Sequence, residues 1–583
     1  MGKRIFAGDF ETTTNENDCR VWAWAMSEVG NPDDIYIGTN IDEFMFWCEE
    51  RVDNVEVWFH NLKFDGSYIL EYLFDEGYTI VTKSEDRETK TFKTMISDRG
   101  MFYGIEVIFY RKGKNIKKAT FYDSAKLFPG MSVDDIAKAF HLPIGKLKID
   151  YDAHNNLPVD ATLTKDEIAY ITNDVKIMSI ALGEFRNMGM SKITIGSCAM
   201  AEYVGMIGQR KFDRWFPKLK YHDDIRQAYR GGFTYVAPDI AEKKLGKGVV
   251  LDVNGLYPWA LRECELPHGR PIFFKGKYEP DGMYPLYIQM IRCQCELKKG
   301  KIPTVQIKNS PYFNDREYLV SSNYEDVTLC LTSVDLELFL ENYDVFNLEY
   351  LSGWKFMGQR GMFDQYIDKW SAAKIEAKAA ENWGLYLLAK LMLNSLYGKF
   401  GTSARRRSKI PYKKKGSPVQ YADTEPEEIE GGYVALAAFV TSHARRKTIN
   451  AIQKITDDYN AGRSKIRFYY CDTDSVHCGS ADHSVPDCLE VDKFKLGAWK
   501  FESKFTQAKY LRQKCYIEMS TEDVYNDKPE YALKVTVGGL PKSCHDQVTF
   551  DNFKFGATYT GKKEPVHVEG GIILRDIDFT IKR

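Results

Sequence analysis

The sequence predicts an α/β protein of several domains, and three observations carry that prediction. Apolar, strand-like runs end in acids near Asp9, Asp252 and Asp472, helical periodicity fills residues 167–174 and 362–400, and the chain is too long for one hydrophobic core. At 583 residues, about three to five domains are expected.

Composition narrows the class. A hydrophobic content of 44% beside 28% charged residues is that of a globular protein and excludes bulk disorder. The net charge of −2 does not mark a nucleic-acid binder, but the charges are segregated. Arg405, Arg406, Arg407, Lys409, Lys413, Lys414 and Lys415 precede Asp423, Glu425, Glu427, Glu428 and Glu430. That alternation reads as a solvated loop or as a basic arm facing phosphate. The 12 cysteines, scattered from Cys19 to Cys544, form no C-x-x-C pair, which argues against structural zinc and a disulfide framework and fits a reducing cytoplasm. No signal-like segment follows Met1 and no apolar run reaches about 18 residues, so no membrane span is expected. The 36 tyrosines and 34 phenylalanines fill cores first and stack on bases or sugars second.

In the first strand, Asp9 and Glu11 alternate onto one face, and Thr12 follows as the chain leaves it. A second strand, residues 55–59, runs through His60 and Asn61 into a helix that carries Asp65 near its start and Ile69, Leu70 and Leu73 along it. Further on, Tyr170 and Asp174 stand four apart on a helical face. Each acid alone has a plainer reading, Asp65 as a helix cap and Asp174 as a surface charge. Together, four acids from three segments suit two metal ions about 3.5–4 Å apart, which activate water and stabilise the leaving oxygen of a phosphodiester. Tyr170 is placed to orient that water.

A second group begins at Asp252, which ends a buried-type strand; the turn after it leads to Tyr257 and Pro258, whose ring stiffens the exit. Residues 362–400 read as one helical stretch with Gly384 as its main interruption. On it Lys390, Asn394 and Tyr397 form one stripe, with Lys374 about four and a half turns earlier. Asp472 and Asp474 fall at the tip of a hairpin, a seat for Mg²⁺ or an ordinary polar turn. Lys514 and Tyr516 share one face of a strand.

These segments resemble known motifs in order. The D-x-E, N-x-x-x-D and Y-x-x-x-D segments resemble a DEDD-type 3′→5′ exonuclease domain. That likeness implies Asp9, Glu11, Asp65 and Asp174 as metal ligands, Tyr170 and Lys146 as assistants, and Thr12, His60, Asn61, Phe64, Ser124 and Tyr151 around a single-stranded 3′ end. Asp252-x-x-Gly-Leu-Tyr257-Pro258, Lys390-x-x-x-Asn394-Ser395-x-Tyr397-Gly398, Tyr470-Cys471-Asp472-Thr473-Asp474-Ser475 and Lys514-x-Tyr516 look like motifs A, B, C and K-x-Y of family B DNA polymerases. Tyr229-Arg230-Gly231-Gly232 looks like the segment linking their two halves. The likeness runs from about residue 5 to the end, and within the family it is similar to the terminal-protein-primed enzymes of small linear-genome bacteriophages.

The resemblance implies a ribonuclease-H-like exonuclease domain over 1–190 and a right hand after it. Its palm would be split between 191–263 and 433–546, with fingers over 363–401 and a thumb over 547–583. One insert, 264–362, would contact the priming protein; the other, 402–432, would support processivity and strand displacement. Asp252, the Val253 backbone and Asp474 would hold metal with Asp472 in support. Tyr257, Lys374, Lys390, Asn394 and Tyr397 would bind the nucleotide, Tyr257 under the ribose as a filter against a 2′-hydroxyl. Tyr229, Arg230, Gly231, Gly232, Lys514 and Tyr516 would hold DNA. Two Mg²⁺ per site are implied, with Mn²⁺ as a substitute because both accept carboxylate oxygens. The implied partners are template-primer DNA, dNTPs, a terminal protein (as a heterodimer at initiation) and a phage single-strand-binding protein, in the cytoplasm of an infected bacterium, the chain being otherwise a monomer.

Two other readings stand beside this one. An enzyme of the same family could use ordinary nucleic-acid primers; a non-catalytic scaffold is disfavoured, because clustered acids are costly without metals. The chain also departs from the family pattern. Gly255 replaces the usual serine, which predicts a looser turn beneath Tyr257. The Lys374–Lys390 interval looks one helical turn longer, and Tyr386 stands where a relative offers lysine.

Overall fold

Three β-sheets and their helices organise the chain. In the computed structural model, the residues described are 2–145, 147, 149–159, 161–308, 310–314, 317–521 and 531–583. The N-terminal sheet has eight strands in the order Asn31–Gly38, Val21–Glu28, Lys3–Thr12, Asn54–Phe59, Asn115–Asp123, Phe102–Lys112, Thr91–Ile96, Thr79–Ile80. Lys3–Thr12 is central, antiparallel to Val21–Glu28 and parallel to Asn54–Phe59. Its side chains alternate as period 2 requires. Phe6 and Phe10 enter the core shared with the Leu62–Asp75 helix, while Ala7 turns to the core shared with Lys165–Asn187. Asp9 and Glu11 therefore follow Ala7 toward the face that carries Asp174.

The middle sheet is assembled from distant segments. Its order is Ala532–Val537, Cys515–Thr521, Trp499–Arg512, Gly248–Val253, Ser475–Gly479, Arg467–Asp472, Thr234–Val236, with Lys244–Leu245 paired to Trp499–Arg512 at the side. The helix Val434–Asn460 packs on this sheet, burying Ile449, Ile452 and Ile455. A third, four-stranded sheet, with the helix Ser333–Asn342, is built wholly from residues 266–359.

The stretch 362–400 is not one helix. Asp364–Ala379 and Trp383–Phe400 are separate helices packed on one another, and the break lies at residues 380–382 rather than at Gly384. Glu381 adopts a left-handed conformation (φ 54°), and the Asn382 side chain then accepts the Leu385 N–H to cap the next helix. Gly384 serves a close approach instead: a Cβ there would lie 2.9 Å from the Phe140 ring. Lys374 and Lys390 thus reach the site from facing helices, not along one axis.

Parts of the basic and acidic runs of 402–432 pair across a short hairpin and a second ladder that encloses it, while Arg405 reaches Asp223. Arg405–Arg406 pairs with Glu427–Glu428, and Lys409–Tyr412 with Gln420–Asp423. Arg406 meets Glu427 at 3.0 Å and Lys409 meets Asp423 at 2.8 Å. Lys413 leaves the segment to bridge Glu71 and Asp75 of the N-terminal domain, at 2.6 Å each. Val419 and, from the C-terminal hairpin, Ile572 are buried in that same N-terminal core. No helix among the described residues is long and apolar enough to cross a membrane.

Candidate active sites

The N-terminal acids converge where a strand and two helices meet. Asp65 sits buried in the first turn of Leu62–Asp75, where the helix dipole favours negative charge, and its Oδ1 accepts the Phe10 N–H at 3.2 Å. Burial and the neighbouring Asp9 charge nevertheless hold the Asp65 carboxyl well above the usual carboxylate range. Tyr170 lies within electrostatic reach of Glu11 and Asp174, and its hydroxyl, pushed up by burial, meets the Tyr151 hydroxyl at 3.0 Å. Tyr151 is half exposed at the mouth.

The residues expected to hold a strand end line this region in different ways. His60 bridges the buried Ser124 hydroxyl (3.0 Å) and the Met131 carbonyl (2.7 Å). Asn61 caps the helix in a left-handed conformation (φ 75°), Phe64 packs against Tyr68, and Thr12 is half buried. Lys146 lies outside the described residues. The sequence reading missed Asp123, which accepts the Asn61 and Ala125 N–H groups and pairs with Lys126 at 3.0 Å, fixing the turn into the Asp65 helix.

The second site lies at one end of the middle sheet. Asp252 stands directly opposite Ser475 on one neighbouring strand and Lys500 on the other. Burial first, then the charges of Asp474 and Glu502, push its carboxyl up to about 7. Burial likewise raises Asp474. The hairpin tip between the acids is strained: Thr473, a β-branched residue, has φ 61°, which costs roughly 1–3 kcal/mol. Three contacts hold it. Its N–H donates to the Phe233 carbonyl (2.7 Å), its carbonyl accepts from the Thr448 hydroxyl (2.7 Å), and its side chain fills the space where a Cβ on Gly232 would stand, 2.5 Å away. Gly232 is therefore glycine to seat this tip. Val253 backs it, donating its N–H to the Asp474 carbonyl at 2.8 Å.

Other expected residues take definite places. Lys514 binds both oxygens of Asp472 (2.9 and 2.7 Å), and Tyr516 is buried against Tyr470 and Tyr510. The rings of Tyr257 and Tyr397 stack at 4.0 Å, while Lys390 and Asn394 are exposed beside them. Gly255 takes φ 59°, its carbonyl accepts the Trp259 N–H at 2.8 Å, and adjacent Asn254 exchanges backbone bonds with Gly497 and Ala498, so the turn under Tyr257 is tied rather than loose. Tyr229 packs where a Cβ on Gly401 would clash. The Arg230 and Gly231 carbonyls accept from Arg445, and the Arg230 guanidinium faces inward, toward Asp335.

A family profile for DNA polymerase type B, organellar and viral, matches residues 49–161 and 154–487. The chain belongs to the type B DNA polymerases. It is 42% identical to a DNA polymerase of Bacillus phage M2 and 40% identical to that of Bacillus phage phi29, each over the full length of both chains. It is 31% identical to the DNA polymerase of Streptococcus phage Cp-1, over 99% of this chain and 98% of that one. The structure of phi29 DNA polymerase complexed with primer-template DNA superimposes with a TM-score of 0.91 at 40% identity, covering all of both chains. The α/β architecture is thus that of a type B DNA polymerase, with an N-terminal domain followed by palm, fingers and thumb.

Among the described residues, no three His, Cys, Asp or Glu side chains already form a compact metal cage. The donor chemistry of this polymerase fits a divalent cation all the same. Buried Asp65 is raised by the charge of Asp9, half-buried Asp252 by those of Asp474 and Glu502, and Asp474 by burial and then by Asp472 and Glu502. Hard oxygen donors in that state are relieved by Mg²⁺.

Proposed function

We propose that this chain is a DNA-directed DNA polymerase with a separate 3′→5′ proofreading site, which replicates a linear phage genome from a protein primer with strand displacement. The observation that carries the two-site reading is the pair of separate carboxylate clusters, one in the N-terminal domain and one at the palm hairpin, in each of which an acid is raised by burial and a neighbouring acid. In the palm, Asp252 and Asp474 with the Val253 backbone would hold Mg²⁺; in the N-terminal site, Asp9, Glu11, Asp65 and Asp174 would do so. Bound there, the metal lowers the pKa of the attacking hydroxyl or water and neutralises charge on the leaving oxygen.

The protein's own groups supply the rest. The Tyr257–Tyr397 stack forms the wall on which the nucleotide sugar rests, and Lys390 presents charge to its phosphates. Lys514 neutralises Asp472, leaving Asp252 and Asp474 as the acids free for metal. Tyr170 orients the water in the N-terminal site. DNA and dNTPs are the substrates; phi29 DNA polymerase has been solved with primer-template DNA and incoming nucleotides. Protein priming draws its support from end-to-end similarity to polymerases of Bacillus phages, the sheet of residues 266–359 included.

The test uses a 5′-labelled primer on a longer template with Mg²⁺. Extension with dNTPs and shortening without them are expected. Shortening without extension would remove the palm from the mechanism, and a terminal-protein deoxynucleotidylation assay then separates protein priming from ordinary primers.

A further inference from the structure

We propose that Lys500 binds the triphosphate of the incoming nucleotide, forming with Lys374 and Lys390 the cationic side of the palm site. The inference rests on the nucleotidyl-transfer reading above and names a phosphate contact within that site.

The register places it. Lys500 pairs directly opposite Asp252 across an antiparallel ladder, so both side chains leave the sheet on one face. Beyond it the ladder bulges: Leu251 pairs with Phe501 and Val250 with Ser503, leaving Glu502 without a cross-strand partner. The Glu502 carboxylate turns to the Lys500 ammonium, and both side chains are substantially exposed. Lys500 therefore stands at the open edge of the acids that would hold metal.

From the opposite side come the two finger helices. Tyr386, on Trp383–Phe400, and Lys374, on Asp364–Ala379, lie within electrostatic reach of Lys500. Lys374 is half buried, and its ammonium is held below the usual lysine range by burial, then by Lys390 and Lys500. Lys374 thus lies within electrostatic reach of Lys390, Lys500 and Asp252, so lysines from three elements meet around it. Like charges gathered in this way repel, and a polyphosphate anion is the ligand that turns the repulsion into attraction. Lys514 is outside this group, because it bridges both oxygens of Asp472 at the hairpin and is not among the charges acting on Lys374, whereas Lys500, paired with the exposed Glu502, is.

The experiment measures single-nucleotide incorporation by the full chain on a primed template with Mg²⁺, comparing wild type, Lys500→Ala and Lys500→Arg. Loss of a charge-assisted phosphate contact is expected to raise the KM for dNTP about tenfold or more in the alanine variant. The arginine variant should recover most of it, and reversal with inorganic pyrophosphate should show the same KM defect. Primer shortening without dNTPs should match wild type in both variants. An unchanged KM in Lys500→Ala would overturn the proposal. So would a fall in kcat alone with a displaced pH profile, which would make Lys500 a positioning residue for Asp252. A wild-type chain that cannot extend the primer at all would instead defeat the polymerising reading on which the inference rests.

Discussion

The two acidic sites use the same device, a carboxylate at the end of a central strand, and surround it differently. In the N-terminal domain, Asp9, Glu11, Asp65 and Asp174 come from one strand and two helices, with tyrosine hydroxyls and a backbone N–H close by. In the palm, the acids come from adjacent strands of one sheet, and lysines stand on strands and helices around them. On the proposed two-site function, the contrast follows from what each would accommodate. A hydrolytic site would admit water and one phosphodiester, whereas a polymerising site would also have to attract a free polyanion.

Swapping out the acids should break this comparison most sharply. Removing one group that stabilises developing charge costs about 10²–10³-fold. Asp252→Ala or Asp474→Ala should lose at least that in primer extension while primer shortening continues. Asp9→Ala or Asp65→Ala should do the converse, measured on the same gel. Loss of both activities from one folded variant would merge the two sites into one.

The next effect concerns the tie between the regions. Breaking a buried ion pair from one side costs about 3 kcal/mol or more. Lys413→Met should therefore lower thermal stability and expose residues 413–419 to limited proteolysis, with extension on a short single-stranded template nearly intact. Burial already raises the Glu71 carboxyl despite Lys413. Without the lysine, Glu71 must take up a proton, so the defect should be larger at pH 8 than at pH 5, and Glu71→Gln should recover part of it.

His443, packed behind the palm with its ring 3.3 Å from the Glu265 carbonyl, gives a smaller effect. Burial and Arg446 lower it to about 4 from an ordinary 6.5. The unfolded chain then binds the proton first, so stability should fall as pH drops from about 6.5 to 4, on the order of 2 kcal/mol, and His443→Gln should flatten that slope. A slope unchanged in the variant would locate the acid sensitivity elsewhere. Smallest of all, Tyr386→Lys should change the nucleotide KM within roughly fivefold, as an added exposed charge does. Steady-state incorporation equal to the parent would show that Tyr386 does not tune nucleotide affinity.

What could be read from sequence follows from range. Period-2 alternation places Asp9 and Glu11 on one strand face, and apolar strand-like runs place Asp252 and the Asp472–Asp474 hairpin, because strand patterning is a local property. The break at Glu381 was hidden, since neither Pro nor Gly marks it and Gly384 drew attention to the wrong residue. Lys500 was invisible because its meaning comes from pairing with a strand almost 250 residues away. The strand face of Lys514 and Tyr516 is legible locally, whereas the pairing of Lys514 with Asp472 depends on the folded sheet. The pairs Arg406–Glu427 and Lys409–Asp423 depend on the register of two ladders, which the local sequence does not set.

The strand Gly248–Val253 has both of its sheet neighbours encoded far downstream, Ser475–Gly479 and Trp499–Arg512. At about 5–20 residues per second, a ribosome needs roughly 10–45 s to supply the first of them. Through that interval Val249, Val250 and Leu251, fully buried at the end, wait with both hydrogen-bonding edges bare, an invitation to mispairing. The sheet of residues 266–359, complete within its own stretch of chain, emerges during the wait and can fold at once. Birth of the palm is thus a matter of timing, and an apolar central strand must wait for partners encoded far downstream.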